Sequence, residues 1–375
     1  MSTAIPETMN AVVLKQPYKV ALEKVPTPTL LKSDDVIVKV HLAGLCGMCI
    51  LLRLLSKLLT MRMTGSDLHL YRGTEDAGKD YVMGHEVVGT IVRKGNDVKE
   101  YSIGDVVAVP FTISCGKCYY CKSSLTSRCT SAALFGTPNL PGCQAEYVRV
   151  PLASACLLLK PPQLPEELML LMADILPTGY SAAYNAWKLL GWGEEKGGKG
   201  EKRGVCVVVG CGPVGLCAIT SALTLFDKVF AVDPTSSRRE LAAKHGAIPV
   251  SPSDLQSSVF SATEGRGADA VLEIVGNQSA IDTALSVVRP YGAVSSVGVH
   301  AKELKIDGGL LYDKNVKLQF GRCSVKHFYL AALELLVDNQ KLFESFIAHT
   351  VNFDQAEKYY ELFEQGKVPK TVFRP

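Results

Sequence analysis

Four cysteines fall within fifteen residues, Cys115, Cys118, Cys121 and Cys129, in the spacing C-x2-C-x2-C-x7-C. Thiolates two residues apart can converge on one cation in a tight turn. Four of them make the closed tetrahedral arrangement of structural zinc. Such a site has no open position, so it is expected to hold a lobe together and do no chemistry. Disulfides are the weaker reading. Residues Met1 to Asn10 lack the charged start and apolar run of a secretory signal, and a reducing compartment favours metal over disulfide for so tight a cluster. An iron–sulfur cluster is the other metal reading.

Three glycines, Gly210, Gly212 and Gly215, form G-x-G-x-x-G directly after the apolar run Val205 to Val209. The first permits a tight turn, the second lets backbone approach a pyrophosphate, and the third lets helix pack on strand. A helix N-terminus would then face the phosphates. Asp233 ends the next apolar run, 18 residues after Gly215. A carboxylate there accepts hydrogen bonds from the adenosine ribose and repels a 2′-phosphate, which predicts NAD. Arg238 and Arg239 lie close by and keep NADP as the alternative.

Gly84, His85 and Glu86 open the stretch GHEVVGTIVRKGNDV, with Gly89, Gly95 and Val98 in a G-H-E-x2-G-x5-G-x2-V pattern. This resembles the signature of the zinc-containing alcohol dehydrogenases of the medium-chain dehydrogenase family. The resemblance covers essentially the whole chain except one segment, and the cysteine knot and dinucleotide turn follow in the family's order.

The resemblance implies a second, catalytic zinc. Its ligands would be Cys46 in AGLCG, His85, and Asp174 in ADILPTGY where many members carry cysteine. Glu86 would be a supporting or exchangeable fourth ligand, and Asp67 would orient the His85 ring from behind. Thr178 would sit at the nicotinamide, and Lys370 would reach the cofactor pyrophosphate. Ser66 and His69 would carry the alcohol's proton outward. Three protein ligands leave one position open, as catalysis requires, and zinc lowers the pKa of bound water to about 7, with a bound alcohol acidified in the same way. The reaction implied is hydride transfer between an alcohol and NAD, giving an aldehyde or ketone. An unpaired carboxylate in the apolar surroundings of Asp174 would be costly, which itself argues for a metal partner. Elsewhere His41, His245, His300, His327 and His349 read as structural, and the remaining cysteines read as packing residues.

One segment breaks the family pattern. AGLCG stops at Gly47 and SDLHLYRG resumes at Ser66, with MCILLRLLSKLLTMRMTG, residues 48–65, between them. The segment is Leu-rich, carries Arg53, Lys57 and Arg62, and is too short and charged for a span of ~20 apolar residues. It preserves the reading frame, and codons at both of its ends can contain splice signals, which points to a retained intron. If translated, it threatens the geometry of Ser66, Asp67 and His69, since a shift of ~1 Å can cost on the order of a hundredfold in rate. A catalytically dead, nucleotide-binding protein is therefore the rival reading from outside the enzymes. An NADP-dependent aldehyde or ketone reductase is the rival within them.

These residues need a scaffold of two kinds. Up to about residue 175 the chain reads as β-rich, with Val-rich runs at Met9–Val20, Asp35–Ala43, Val87–Val92 and Gly104–Val109 broken by Gly and Pro. After Val205, short buried runs alternate with helical stretches, the pattern of a doubly wound parallel sheet. The predicted class is α/β. A GroES-like catalytic domain would span 1–177 and 321–375, and a Rossmann domain 178–320, with the active site in the cleft between. A length of 375 residues suits about two domains. A net charge of +3 without a basic stripe argues against a nucleic-acid or acidic-membrane partner. The expected partners are a small alcohol, aldehyde or ketone, two Zn2+ and NAD, with no membrane. The expected location is cytoplasmic, and the resemblance implies a homodimer or homotetramer.

Overall fold

The computed structural model describes residues 5–47, 67–73, 78–192, 203–300 and 302–375. Residues 48–65 and Ser66 lie outside that set. The chain divides into two compact units, Met1–Asp174 with Ser324–Pro375, and Ile175–Cys323. The boundaries expected from the sequence, 177/178 and 320/321, lie three residues from these.

The first unit is β-rich. Its main sheet centres on the strand Val36–Leu45, whose VIVKVHLAGL sequence is buried along most of its length. Val87–Lys94 pairs antiparallel along one edge of it, while Tyr147–Val150 and Thr371–Arg374 take opposite ends of the other. Valines dominate the core between the strands, including Val36, Val38, Val87, Val107, Val109, Val148 and Val150. Branched side chains of this kind fit a pleated, buried surface. Met9–Val20 is not one strand. Thr8–Gln16 turns through Tyr18, whose φ is 62°, and returns as Lys19–Pro26.

Register in this sheet does functional work. Ala43 pairs with Val87, and the Gly44 amide donates to the Glu86 carbonyl at 2.9 Å. The residue just past one strand, Cys46, is thereby set beside the residues just before the next, His85 and Glu86. On the opposite edge Thr371 pairs with Leu45, which brings Lys370 from the end of the chain to the same point.

The second unit carries six parallel strands, labelled here β1 (Val205–Val209), β2 (Lys228–Val232), β3 (Ile248–Val250), β4 (Ala268–Glu273), β5 (Val288–Ser296) and β6 (Lys317–Phe320). Their order is β3-β2-β1-β4-β5-β6, so the strand order reverses between β1 and β4. Both β1 and β4 are buried at every residue, as strands covered on both faces must be. In such sheets ligands bind beyond the carboxyl ends of the strands at the reversal point. Among the described residues no helix is long and apolar enough to cross a membrane.

Candidate metal centres and nucleotide site

The four-cysteine knot folds on itself. The sulfurs of Cys115, Cys118, Cys121 and Cys129 all lie within 4.8 Å of one another. Backbone amides point at them. The Cys115 amide donates to Cys129 Sγ at 3.1 Å, Cys118 to Cys115 Sγ at 3.4 Å, and Ser131 to Cys129 Sγ at 3.3 Å. Such donors favour thiolate over thiol: the amides of Cys121 and Thr130 push the Cys118 thiol down to about 6, whereas burial pushes the Cys121 and Cys129 thiols up. All four cysteines are free of disulfides. The donor set and spacing fit one tetrahedral zinc.

The second cluster is assembled from separate stretches of chain. Ligand atoms of Cys46, His85, Glu86 and Asp174 lie within 4.8 Å of one another. Asp174 ends the short 3-10 turn Leu171–Ala173, which the Phe111 amide ties to the sheet through the Ala173 carbonyl at 3.1 Å. His85 and Glu86 are 2% and 1% exposed, and Asp174 is 8% exposed. The Nδ1 of His85 meets Asp67 Oδ1 at 2.9 Å, and its Nε2 faces Asp174 Oδ2 at 3.5 Å. Among the described residues, His85 Nε2 and Glu86 Oε1 are buried without a hydrogen-bond partner. Burial, and then the Glu86 carboxylate, push the Cys46 thiol up to about 11. Three acidic groups and an imidazole nitrogen facing one buried point form a set that a divalent cation would satisfy.

The long insertion leaves its two flanks together. Asp67 Oδ2 accepts from the Cys46 amide at 3.0 Å, and the Leu68 amide donates to the Cys46 carbonyl at 3.4 Å. Asp67 therefore stands behind His85 although 20 residues separate it from Cys46 in the chain. His69 follows on the short helix Asp67–Tyr71 and is buried. Burial, and then the charge of Arg72, hold its imidazole down to about 4, so it is neutral at pH 7 and, as placed, a weak proton acceptor.

Lys370 joins the metal cluster from the end of the chain. Its ammonium is buried, donating to Glu86 Oε2 and to the Leu45 carbonyl at 3.2 Å. The family resemblance implies a pyrophosphate contact for Lys370. The pairing of Thr371–Arg374 on Val36–Leu45 makes it the counter-charge of Glu86.

In the second unit the glycine motif is built as its spacing requires. Gly210 has a φ of 98°, and a Cβ on Gly215 would stand 2.0 Å from the Gly210 carbonyl oxygen. Gly212 caps the helix Pro213–Ala222 and has open space where a side chain would be. Asp233, just past β2, accepts from the amides of Cys211 at 3.0 Å and Thr235 at 2.9 Å. Arg238 lies 3.7 Å from the Asp233 carboxylate, and Arg239 donates to the carbonyls of Asp233 and Pro234. Thr178 lies in the first turn of the helix Ile175–Leu189, where its carbonyl accepts from Ser181 Oγ at 2.8 Å. A polar cluster that no motif marks closes the ends of β4 and β5. Glu273 accepts from Ser296 Oγ at 2.6 Å and from the Val275 and Gly276 amides, and His300 Nε2 stands 3.3 Å away.

Residues 32–161 match the alcohol dehydrogenase GroES-like domain, and residues 213–338 match the zinc-binding dehydrogenase domain. The chain is 43% identical over 371 residues to zinc-type alcohol dehydrogenase B of Aspergillus flavus, covering 98% of this chain and 81% of that one. It is 33% identical to a probable zinc-binding alcohol dehydrogenase of Mycobacterium tuberculosis, covering 94% of this chain and 84% of that one. The solved alcohol dehydrogenase TADH from Thermus sp. ATN1 matches with a TM-score of 0.85 at 33% identity, covering 98% of this chain and 99% of that one. The chain belongs to the zinc-containing medium-chain alcohol dehydrogenase family, with a GroES-like domain and a Rossmann-like nucleotide-binding domain. Its activity class is zinc-dependent alcohol oxidoreduction with a nicotinamide cofactor and a small-molecule substrate.

Proposed function

We propose that this protein interconverts a small alcohol and its aldehyde or ketone with NAD, at a zinc held by Cys46, His85 and Asp174, while Cys115, Cys118, Cys121 and Cys129 hold a second, structural zinc. The observation that carries the reading is the convergence of Cys46, His85, Glu86 and Asp174 on one buried point. Bound there, zinc would supply Lewis-acid polarisation of the substrate oxygen. The chain's own residues do the rest. Asp67 accepts a hydrogen bond from the Nδ1–H of His85, so Nε2 presents its lone pair to the metal position. Lys370 holds Glu86 by Oε2, and Oε1 has no hydrogen-bond partner among the described residues. Ser66 and His69 are the candidates for carrying the alcohol's proton outward.

Gly210, Gly212, Gly215 and Asp233 would bind the dinucleotide, and Thr178 would stand near its nicotinamide. The Asp233 carboxylate favours NAD over NADP. Arg238 stands 3.7 Å from the Asp233 carboxylate, which partly compensates its charge, while Arg239 donates to the backbone carbonyls of Asp233 and Pro234. The protein is expected to work as a homodimer or homotetramer in the cytoplasm. The testing experiment is a rate measurement with a panel of short primary and secondary alcohols, using NAD and NADP side by side. Turnover with NAD at least several-fold faster is the expected result. Faster turnover with NADP would move the reading to a reductase. Binding of NADH with no turnover would identify the dead form.

A further inference from the structure

Behind the metal cluster lies a chain of buried polar groups that ends nowhere near solvent. Gln144 and Tyr360 are both 0% exposed. The Tyr360 hydroxyl donates to Gln144 Oε1 at 2.8 Å. The Gln144 amide then donates to the Gly44 carbonyl at 3.1 Å and approaches Asp67 Oδ2 at 3.4 Å. Asp67 passes the chain on to His85 Nδ1 and to the Cys46 amide. Six groups are thus linked, and both oxygens of the Asp67 carboxylate are fixed.

The chemistry allows one orientation. An ionised carboxylate and a carbonyl can only accept, so the NH2 end of Gln144 must face Asp67 and Gly44. A flipped amide would set its oxygen against two other acceptors. Its oxygen therefore faces Tyr360, which must donate. Burial, and then the charge of Asp67, raise the Tyr360 phenol well above its ordinary value, so the donor proton stays in place. The backbone is fixed as firmly as the side chain. The Gln144 amide donates to the Met83 carbonyl at 2.8 Å, and its carbonyl accepts from Val12 at 2.8 Å. Gly84, with a φ of 94°, makes room for it, since a Cβ there would stand 2.5 Å from Gln144 Cγ. The Tyr360 ring packs on Tyr71 with centroids 5.1 Å apart, on the helix that carries Asp67.

We propose that Gln144 and Tyr360 are positioning residues for the catalytic metal, holding Asp67 so that His85 keeps its Nδ1 proton and aims Nε2 at the metal. The inference rests on Cys46, His85 and Asp174 being that metal's ligands. It also gives the glycine of the GHE motif a second duty, the close approach of Gln144.

Zinc affinity tests this, and the four-cysteine site is the internal reference. The two zincs of the full-length protein are titrated against a chelator in the wild type, Gln144→Met and Tyr360→Phe. Gln144→Met is expected to weaken one zinc roughly tenfold or more, the usual effect of removing a group that orients a metal ligand. Tyr360→Phe, which removes one oxygen and keeps the ring, is expected to weaken the same zinc by about two- to tenfold, the effect of one lost neutral hydrogen bond. The other zinc keeps its affinity in both. Unchanged affinity for both zincs in both variants overturns the proposal. So does equal weakening of both zincs, which would report general loosening. If Gln144→Met does not fold, Tyr360→Phe alone decides by the same criteria. A wild type that binds only the four-cysteine zinc overturns the metal reading itself, and this proposal with it.

Discussion

The two metal clusters of this protein are built in opposite ways. The cysteine knot draws all four ligands from residues 115–129, a run that holds two single helical turns, Tyr119–Lys122 and Thr126–Arg128, and its own amides solvate its sulfurs. The Cys46–His85–Glu86–Asp174 cluster spans 129 positions of sequence, and each member depends on a different contact: a sheet register, a carboxylate behind a ring, a tethered turn, a lysine from the chain end. A local cluster keeps its geometry through nearest neighbours. A distributed one keeps it only if the whole unit is right. It can also leave a position open, which four cysteines around one cation cannot.

The sharpest way to break this contrast is to remove one ligand from the distributed site. His85→Ala is expected to lower turnover by roughly a thousandfold or more, because the Lewis acid supplies several kcal/mol of the catalysis, while the knot's zinc and the folded state persist. Loss of both zincs would mean that the two sites are not independent. Next in size is Lys370→Met. Removing one partner of a buried ion pair typically costs about 3–5 kcal/mol, because the other charge is left uncompensated. The unfolding midpoint should fall accordingly, and Glu86→Gln added to Lys370→Met should recover much of the loss. A double variant no more stable than the single one would mean that Glu86 does not need its counter-charge.

A smaller effect follows from His69. Its folded imidazole titrates at about 4, against an ordinary value of 6.5. Between those values the unfolded chain takes up a proton that the folded chain does not. The stability present above pH 6.5 is therefore lost as pH falls toward 4, by at most about 3 kcal/mol. Thermal midpoints of the wild type and His69→Gln across this window should diverge, with the wild type losing more. Parallel curves would contradict the buried placement. The smallest expected change comes from deleting residues 48–65. Cys46 and Asp67 already touch, so the shortened chain should keep the same zinc content and at least the same turnover. A deletion that loses a zinc would mean that the segment supports the site.

The same contrast explains what could be read from the sequence. The knot and the glycine turn were legible because their chemistry lies in one short run, where spacing nearly fixes geometry. Cys46, His85 and Asp174 were found only through resemblance, since nothing local announces that a strand pairing will set Cys46 beside His85. The Lys370–Glu86 pair was not legible, because it depends on a final strand joining the middle of the sheet. Gln144 and Tyr360 were missed entirely. A glutamine in GCQAEY and a tyrosine on an amphipathic helix look like loop and core residues until the fold brings them together. The strand pattern told the fold class, but the hairpin after Gln16 was hidden inside one continuous Val-rich run.

The central claim is that the distributed cluster is a working metal site beside the closed one, despite the segment inserted next to it. Elemental mass spectrometry of the purified 375-residue protein measures this directly as zinc per chain. Two zincs per chain is the predicted result. One zinc per chain, retained by the four cysteines alone, would contradict it.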